Sequence, residues 1–222
     1  MTVKKNIMID DWKIECEIHY KNIKNCYLRI RDGKIIISAS RYYSEKQIDA
    51  FIYKNRAMII QQLSSYHQRV SYQDHGYVEV FDNRYELIVK DLKIRRCVMH
   101  EHDIYVYDRH IQPVLDNFLT GLLLNYIEKK VQYYISSDFH RPMPEITIRK
   151  MKSRWGSCFY LKNKITFNFS LIFLPQELID YVIIHELCHF IEPNHSARFY
   201  AEIEKRLPEY RLREKQLKET VI

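Results

Sequence analysis

Apolar and polar positions alternate with a period of two along the first forty residues of the chain. Residues 12–18 place apolar side chains on one face and Lys or Glu on the other, and the same alternation returns in residues 26–30 and 35–39. A period of two is typical of strands with one buried face. The Asp32-Gly33 pair is a tight-turn signal between the last two stretches. We therefore predict that the chain opens with an antiparallel meander.

The spacing of apolar residues then changes to that of amphipathic helices. Ser44 and Gln47 form a capping box, and apolar residues recur at helical intervals behind them, which predicts a helix over residues 45–67. A second, strongly apolar helix is predicted from Pro113 to Phe139, because proline suits the first turn of a helix. These two helices separate the strand-forming parts of the chain.

Short strands are predicted between the two helices. Residues 77–80 and 85–89 flank an Asp-Asn pair, which indicates a second hairpin, and residues 94–99 and 104–107 are shorter candidates. Further strands follow, then the helix that Pro175 opens, a helix from about Ser196 that buries Phe199, and a charged terminal helix. We expect an α+β protein with an N-terminal antiparallel β-rich region over residues 1–110 and a metal-binding domain over residues 111–222.

The segment YVIIHELCHFIEPNHSARF, residues 181–199, contains the residues with the clearest chemistry. His185 and His189 are four positions apart, so a helix places both imidazoles on one face. Glu186 follows His185, where its carboxylate can touch a metal-bound water. This H-E-x-x-H spacing supplies two zinc ligands and a general base from one helix.

A catalytic zinc site needs a third protein ligand and an open position, and His195 is the candidate. Pro193 ends the helix near Ile191, and a turn at residues 192–194 can bring His195 back to the metal. The alternatives are a structural zinc site and a buried helix that carries His and Glu by chance. A second metal site at His100 and His102 is less favoured than two exposed side chains.

A second unusual stretch is Arg154-Trp155-Gly156-Ser157. Arg154 can bind a carboxylate or a phosphate, Gly156 can admit a substrate or a backbone closely, and a strand here can align an extended peptide. From the residues alone, a structural interpretation is equally well supported, in which Trp155 packs in the core and Arg154 binds a structural carboxylate. Asn168 is a candidate for orienting the site, although a structural contact is at least as well supported.

The charge and composition of the chain are compatible with several classes of binding partner. The 222 residues carry a net charge of +7 with a pI near 9.0, which permits nucleic acid, nucleotides or acidic peptides as partners. The basic residues are spread along the chain, so a solvated surface explains them equally well. Five cysteines without a C-x-x-C motif, no signal-like N-terminus and no membrane-length apolar run predict a cytoplasmic protein without a membrane partner.

Three functional hypotheses follow from these residues. In the first, the protein is a zinc-dependent peptidase with Glu186 as general base, and its substrate is a peptide or protein. In the second, the same Zn²⁺ site hydrolyses a nucleotide phosphoanhydride, as a pyrophosphatase does, with Arg154 holding phosphate; no phosphate-binding glycine loop is found. In the third, the protein is a nucleic-acid-associated binding protein with a structural zinc.

The run SRWGSC, the segment ITFNFSLIFLPQELIDYVIIHELCHFIEPNHSARFY and the final LPEY resemble the YgjP-like metallopeptidase family, and are similar to the related SprT and Wss1-like zinc proteins. The resemblance covers nearly the whole chain. It implies a zincin-like core in residues 111–222 in which His185, His189 and His195 bind the metal and Glu186 is the base. The spacing of the three histidines equals that of metzincins, but this chain has Glu192 where metzincins place glycine.

Overall fold

The computed structural model describes residues 2–10, 12–31, 33–64 and 69–220. The chain forms two compact units, one within its first 68 residues and one over Arg69–Thr220. Each unit has its own buried apolar core. No helix in the described part of the chain combines the length and apolar character required to span a membrane.

The first unit is a four-stranded sheet with two helices. The strands are β1 (Thr2–Ile9), β2 (Trp12–Lys21), β3 (Tyr27–Arg31) and β4 (Lys34–Ser40), in the spatial order β1-β2-β4-β3, and the helices are α1 (Glu45–Lys54) and α2 (Arg56–Ser64). The strand β1 was not among the predicted elements.

The predicted antiparallel meander is wrong. Strand β2 pairs with β4 in parallel, with Cys16 opposite Ile35, whereas β3 and β4 form an antiparallel hairpin. The sheet is mixed because β2 and β4, whose alternate residues are fully buried, take its centre, and the half-buried β3 takes an edge. At the predicted turn, Asp32 lies outside the described residues, and Gly33 has a φ of 71°, which suits glycine.

The capping box at Ser44 is confirmed: the Ser44 N–H donates to the Gln47 side chain at 2.8 Å, and the Gln47 N–H donates back to the Ser44 hydroxyl. The single helix predicted over residues 45–67 is instead two helices, α1 and α2. The side chain of Asn55 donates to the Phe51 carbonyl at 2.7 Å, and this contact accompanies the break. Residues 65–67 of that prediction lie outside the described residues.

The second unit begins with a small sheet and continues into helices. Its elements are β5 (Tyr77–Val80), β6 (Asn83–Val89), β7 (Cys97–His100), β8 (Asp103–Val106), α3 (Ile111–Tyr134, continued by a π-helical turn Ile135–Phe139), β9 (Glu145–Arg149), β10 (Gly156–Phe159), β11 (Lys164–Asn168), α4 (Gln176–Cys188), α5 (Ala197–Arg206) and α6 (Tyr210–Glu219).

The strands β5 to β8 belong with the helices that follow them. Strands β5 and β6 form the predicted hairpin, although its turn residues are Phe81 and Asp82, both with positive φ. Buried residues of these strands, such as Leu87 and Ile104, share one core with Leu115 of α3. The predicted boundary after residue 110 therefore runs through this core, whereas the compact unit begins at Arg69.

A three-stranded sheet and helix α4 position the candidate site. The strand order is β10-β11-β9, so β10 lies at an edge of its sheet. Helix α4 begins after Pro175, as predicted, and nine of its thirteen residues are buried. It ends at Cys188 rather than near Ile191, and the Glu192 N–H then donates to the Cys188 carbonyl at 2.9 Å. The predicted helix start at Ser196 is confirmed, with its hydroxyl accepting from the Phe199 N–H.

Candidate metal centre

The three predicted histidines converge. His185 lies near the end of α4, His189 lies one turn later at its C-cap, and His195 reaches them from the turn before α5. One ring nitrogen from each histidine lies within 4.8 Å of the others, and the Nε2 atoms of His185 and His195 are 3.1 Å apart. Among the described residues this is the one group of three or more potential ligands that meets in this way. His100 and His102 belong to no such group.

Phe199 packs against all three histidine rings. Its ring centroid lies 4.9 Å from that of His185, 4.5 Å from that of His189 and 4.8 Å from that of His195, and the side chain is fully buried. The sequence pattern placed Phe199 only in the core of the following helix. Helical spacing does not indicate the contact, because His195 lies in the turn before α5 and only Phe199 belongs to the helix.

The histidines have the chemistry of a metal site. Burial, with the neighbouring His189 and His195, lowers the pKa of His185 to about 3. Burial and His195 also lower the pKa of His189, opposed by hydrogen bonds with backbone of Glu192 and Pro193. Neutral imidazoles are the form that binds metal ions. The buried Nδ1 of His185 has no hydrogen-bond partner among the described residues. Three neutral imidazole donors at this spacing fit Zn²⁺.

Glu186 lies buried beside the histidines, with 5% of its surface exposed. Burial raises the pKa of its carboxyl group to about 8, while the Cys158 N–H, which donates to it, and the positive charge of Arg154 act in the opposite direction. A raised carboxyl pKa is a feature of acid–base catalysts, because a proton can then be taken up and released near neutral pH. The hydrogen bond ties α4 to the edge strand β10.

Gly156 is the residue that makes room for this carboxylate. A Cβ atom at position 156 would lie 2.4 Å from Oε1 of Glu186 and 2.7 Å from its Cδ. Such distances are far below a van der Waals contact, so no larger residue fits here without moving Glu186. The sequence suggested that a substrate or a backbone approaches closely at this glycine. The group that does so is the side chain of Glu186.

One cleft of about 520 Å³ collects most of the predicted residues. It is lined by the three histidines and Glu186, by the whole stretch Arg154–Ser157, and by Cys158, Tyr160 and Tyr181. Arg154 is exposed, whereas Trp155 is half-buried and packs against the apolar core. Trp155 therefore packs against the core and also lines the cleft, and the exposed Arg154 lines the cleft as well.

Asn168 does not line the cleft but holds the loop that does. Its side-chain amide donates to the carbonyls of Met151 and Arg154 at 3.0 and 2.9 Å. Its side-chain oxygen accepts from the N–H groups of Met151 and Ser170, and its own N–H donates to the Trp155 carbonyl at 2.8 Å. Asn168 is fully buried. Its five hydrogen bonds fix the backbone that carries Arg154 and Trp155.

The opposite wall was not predicted from the sequence. Glu214, Leu217 and Lys218 of α6 line the cleft, and Glu214 and Lys218 form an ion pair of 2.9 Å. Tyr181 lines it as well, one helical turn before His185. The terminal helix had only a charged pattern, which is typical of a solvated helix and does not indicate which residues border a cleft.

Comparison with known proteins gives the chain its family. A family model for the YgjP-like metallopeptidase domain matches residues 24–220. The chain belongs to this family. For the YgjP-like chain, a search of curated proteins returned no match.

Among solved structures, this YgjP-like chain is similar to one described as the metallopeptidase zymogen of Pyrococcus abyssi abylysin. The identity is 24%, the match covers 41% of this chain and 90% of the other, and the TM-score is 0.38. A likeness of this size carries no argument about the fold.

Family membership supports a metal-dependent peptidase with a peptide or protein substrate. The nucleotide and nucleic-acid hypotheses find no support in these comparisons. All five cysteines of the YgjP-like chain are free thiols in the structure.

Proposed function

We propose that this YgjP-like domain is a zinc-dependent peptidase in which His185, His189 and His195 hold the metal and Glu186 is the general base. The observation that supports the proposal is the meeting of three imidazoles beside a buried carboxylate in one cleft. Three histidines leave a tetrahedral ion one open position, as a catalytic site requires. The three residues therefore suit a catalytic zinc better than a closed structural one.

The chemistry divides between the metal and the protein. When bound, zinc supplies Lewis acidity, which polarises a carbonyl oxygen and makes water more acidic. Glu186 receives the proton of the attacking water on its carboxylate and delivers it to the nitrogen of the leaving amine. The N–H of Cys158 orients that carboxylate, and Gly156 leaves the space in which it lies.

The wall formed by Arg154, Trp155 and Ser157 is assigned to substrate binding in this proposal. β10 has β11 on one side and no further strand of its sheet on the other among the described residues. An extended peptide can pair with such an edge through groups other than the Cys158 N–H, which donates to Glu186. The exposed guanidinium of Arg154 offers a partner for a substrate carboxylate, and Asn168 keeps its loop in place.

The deciding experiment compares Glu186→Gln with Glu177→Gln. Glu177 is an exposed residue in the first turn of the same helix and does not line the cleft. We expect both variants to bind one zinc ion per chain, and only Glu186→Gln to lose hydrolysis of an unfolded casein-type substrate, by a factor of at least about 100. Full activity of Glu186→Gln would remove Glu186 from the mechanism. Absence of stoichiometric zinc in the wild type would contradict the metal site.

A further inference from the structure

Three consecutive large apolar side chains face solvent where β10 leaves the cleft. Phe159 is 52% exposed, Tyr160 45% and Leu161 86%. At no other place in the described part of the chain are two adjacent residues both large, apolar and exposed. Exposed apolar side chains that adjoin one another are a feature of interaction sites. We refer to Phe159–Leu161 as the apolar turn.

Hydrogen bonds of Asn163 hold the apolar turn in place. Asn163 has a φ of 48°, its side-chain amide donates to the Met143 carbonyl at 3.0 Å, and its side-chain oxygen accepts from Arg141 at 2.7 Å. Its backbone carbonyl accepts from the Glu145 N–H at 2.9 Å. The polar groups of Asn163 are thus hydrogen-bonded within the protein, while the side chains of the apolar turn are exposed. A preformed surface loses little conformational entropy when a ligand binds.

The apolar turn continues the candidate active-site cleft. Tyr160 belongs to both, and Gly156 at the start of β10 lies against Glu186. A strand rises by about 3.3 Å per residue and a 3₁₀ turn by about 2 Å. Phe159, the last residue of β10, therefore lies roughly 10 Å beyond Gly156, and Tyr160 and Leu161, which belong to a 3₁₀ turn, lie up to roughly 14 Å beyond it. A polypeptide that pairs with β10 and continues in extended form spans this distance with its third and fourth residues from the reacting bond.

We propose that the apolar turn is a specificity site that binds an apolar side chain three or four residues to the N-terminal side of the cleaved bond. The inference rests on the proposed peptidase function. The N-terminal direction follows from antiparallel pairing with β10, which is the more stable arrangement per residue. Native proteins bury most such side chains and seldom present them in an extended segment. The substrates are therefore unfolded polypeptides that expose apolar residues.

Three fluorogenic peptides with the same cleavable centre test this proposal. One carries a Leu-Phe pair four residues before the cleaved bond, one carries it four residues after the bond, and one has Ser in both places. We expect kcat/KM for the first to exceed that for the Ser peptide about tenfold, the factor for covering one such side chain. The second peptide is expected to show no such gain.

The variant Leu161→Ser and its matched control Leu92→Ser test whether the apolar turn causes the preference for the first peptide over the Ser peptide. Both leucines are exposed, at 86% and 59%, so both variants are expected to fold, and Leu92 lies outside the cleft. We expect the ratio of kcat/KM between the first and the Ser peptide to fall to about one in Leu161→Ser and to stay near ten in Leu92→Ser. A ratio near one in the wild type, or a ratio that survives in Leu161→Ser, would overturn the proposal.

Binding separates this inference from the proposed function. If the zinc-loaded wild type cleaves none of the peptides, the proposed function fails, and fluorescence anisotropy of the labelled peptides with the zinc-loaded Glu186→Gln protein decides the inference. About tenfold tighter binding of the first peptide, lost when Leu161→Ser is added, supports the apolar turn as a polypeptide site. Equal binding of the first and the Ser peptide overturns it.

Discussion

At the scale of single residues, Glu186 combines a charge-bearing group with an almost fully buried position. An unpaired charge is costly to bury. The Cys158 N–H, which donates to the Glu186 carboxylate, and the positive charge of Arg154 both favour its ionised form. The absence of a side chain at Gly156 is what allows the carboxylate to reach that N–H. Under the proposed function, Gly156 acts through Glu186 as a positioning residue.

The substitution Gly156→Ala tests this role. Its Cβ would displace the Glu186 carboxylate, so we expect kcat to fall at least about 100-fold while KM and zinc content change little. Gly121→Ala is the matched control, because no heavy atom of the surrounding protein lies within 4 Å of its added Cβ. Gly121 lies in the middle of α3, so alanine there should raise the free energy of unfolding by about 0.5–1 kcal/mol and leave kcat as it is. Near-normal kcat in Gly156→Ala would show that Glu186 adapts freely.

A second residue-scale prediction concerns Phe199, which contacts all three histidine rings. Replacement by leucine keeps an apolar side chain but removes the flat surface that orients the imidazoles. We expect Phe199→Leu to weaken zinc binding about tenfold, measured by competition with a chromophoric chelator. Phe118→Leu is the control, because Phe118 packs against the same core without touching the histidines. Equal zinc affinity in both variants would limit Phe199 to packing.

At the scale of elements, the loop before β10 depends on Asn168. Alanine at this fully buried position removes the hydrogen bonds to the backbone of Met151 and Arg154, so we expect Asn168→Ala to lower the free energy of unfolding by about 2–4 kcal/mol in urea denaturation. Asn117→Ala serves as control, since Asn117 is exposed on α3 and alanine is favoured in a helix. A loss below about 1 kcal/mol in Asn168→Ala would mean that the loop is held by other contacts.

The elements also show what the sequence determines and what it leaves open. The capping box of α1, the hairpin of β5 and β6, and the start of α4 after Pro175 follow from local chemistry, and each was predicted. The parallel pairing of β2 with β4 was not predicted, because alternation specifies which face of β2 is buried but not which strand lies beside it. The pairing depends on contacts between residues that are distant in sequence.

In the candidate site, too, local contacts were predicted from the sequence and distant ones were not. The spacing of His185, His189 and the turn to His195 indicated that the three rings meet, because a helix and one proline turn are local geometry. The contact of Gly156 with Glu186 joins residues thirty positions apart, and no periodicity encodes it. The wall contributed by α6 has no motif at all. Contacts between residues this far apart in the chain are visible only in the folded structure.

At the scale of the whole molecule, the separate cores predict which fragments fold. A fragment of residues 69–220 contains one complete core and every cleft residue, so we expect it to unfold cooperatively and to bind one zinc ion. A fragment of residues 111–222 lacks β5 to β8 and exposes the surface of α3 that packs on Leu87 and Ile104. We expect the shorter fragment to give no cooperative transition by circular dichroism. Cooperative folding of the shorter fragment would instead support a boundary after residue 110.

The contact between Gly156 and Glu186 also bears on how relatives are sorted into working and silent proteins. A chain that keeps the three histidines but carries a bulkier residue at the position of Gly156 has no space for the glutamate in this geometry. Such a chain is expected to retain the ion and lose turnover. One backbone position outside the H-E-x-x-H motif would then distinguish a degenerate family member, surviving as a metal-dependent binding protein, from an active one.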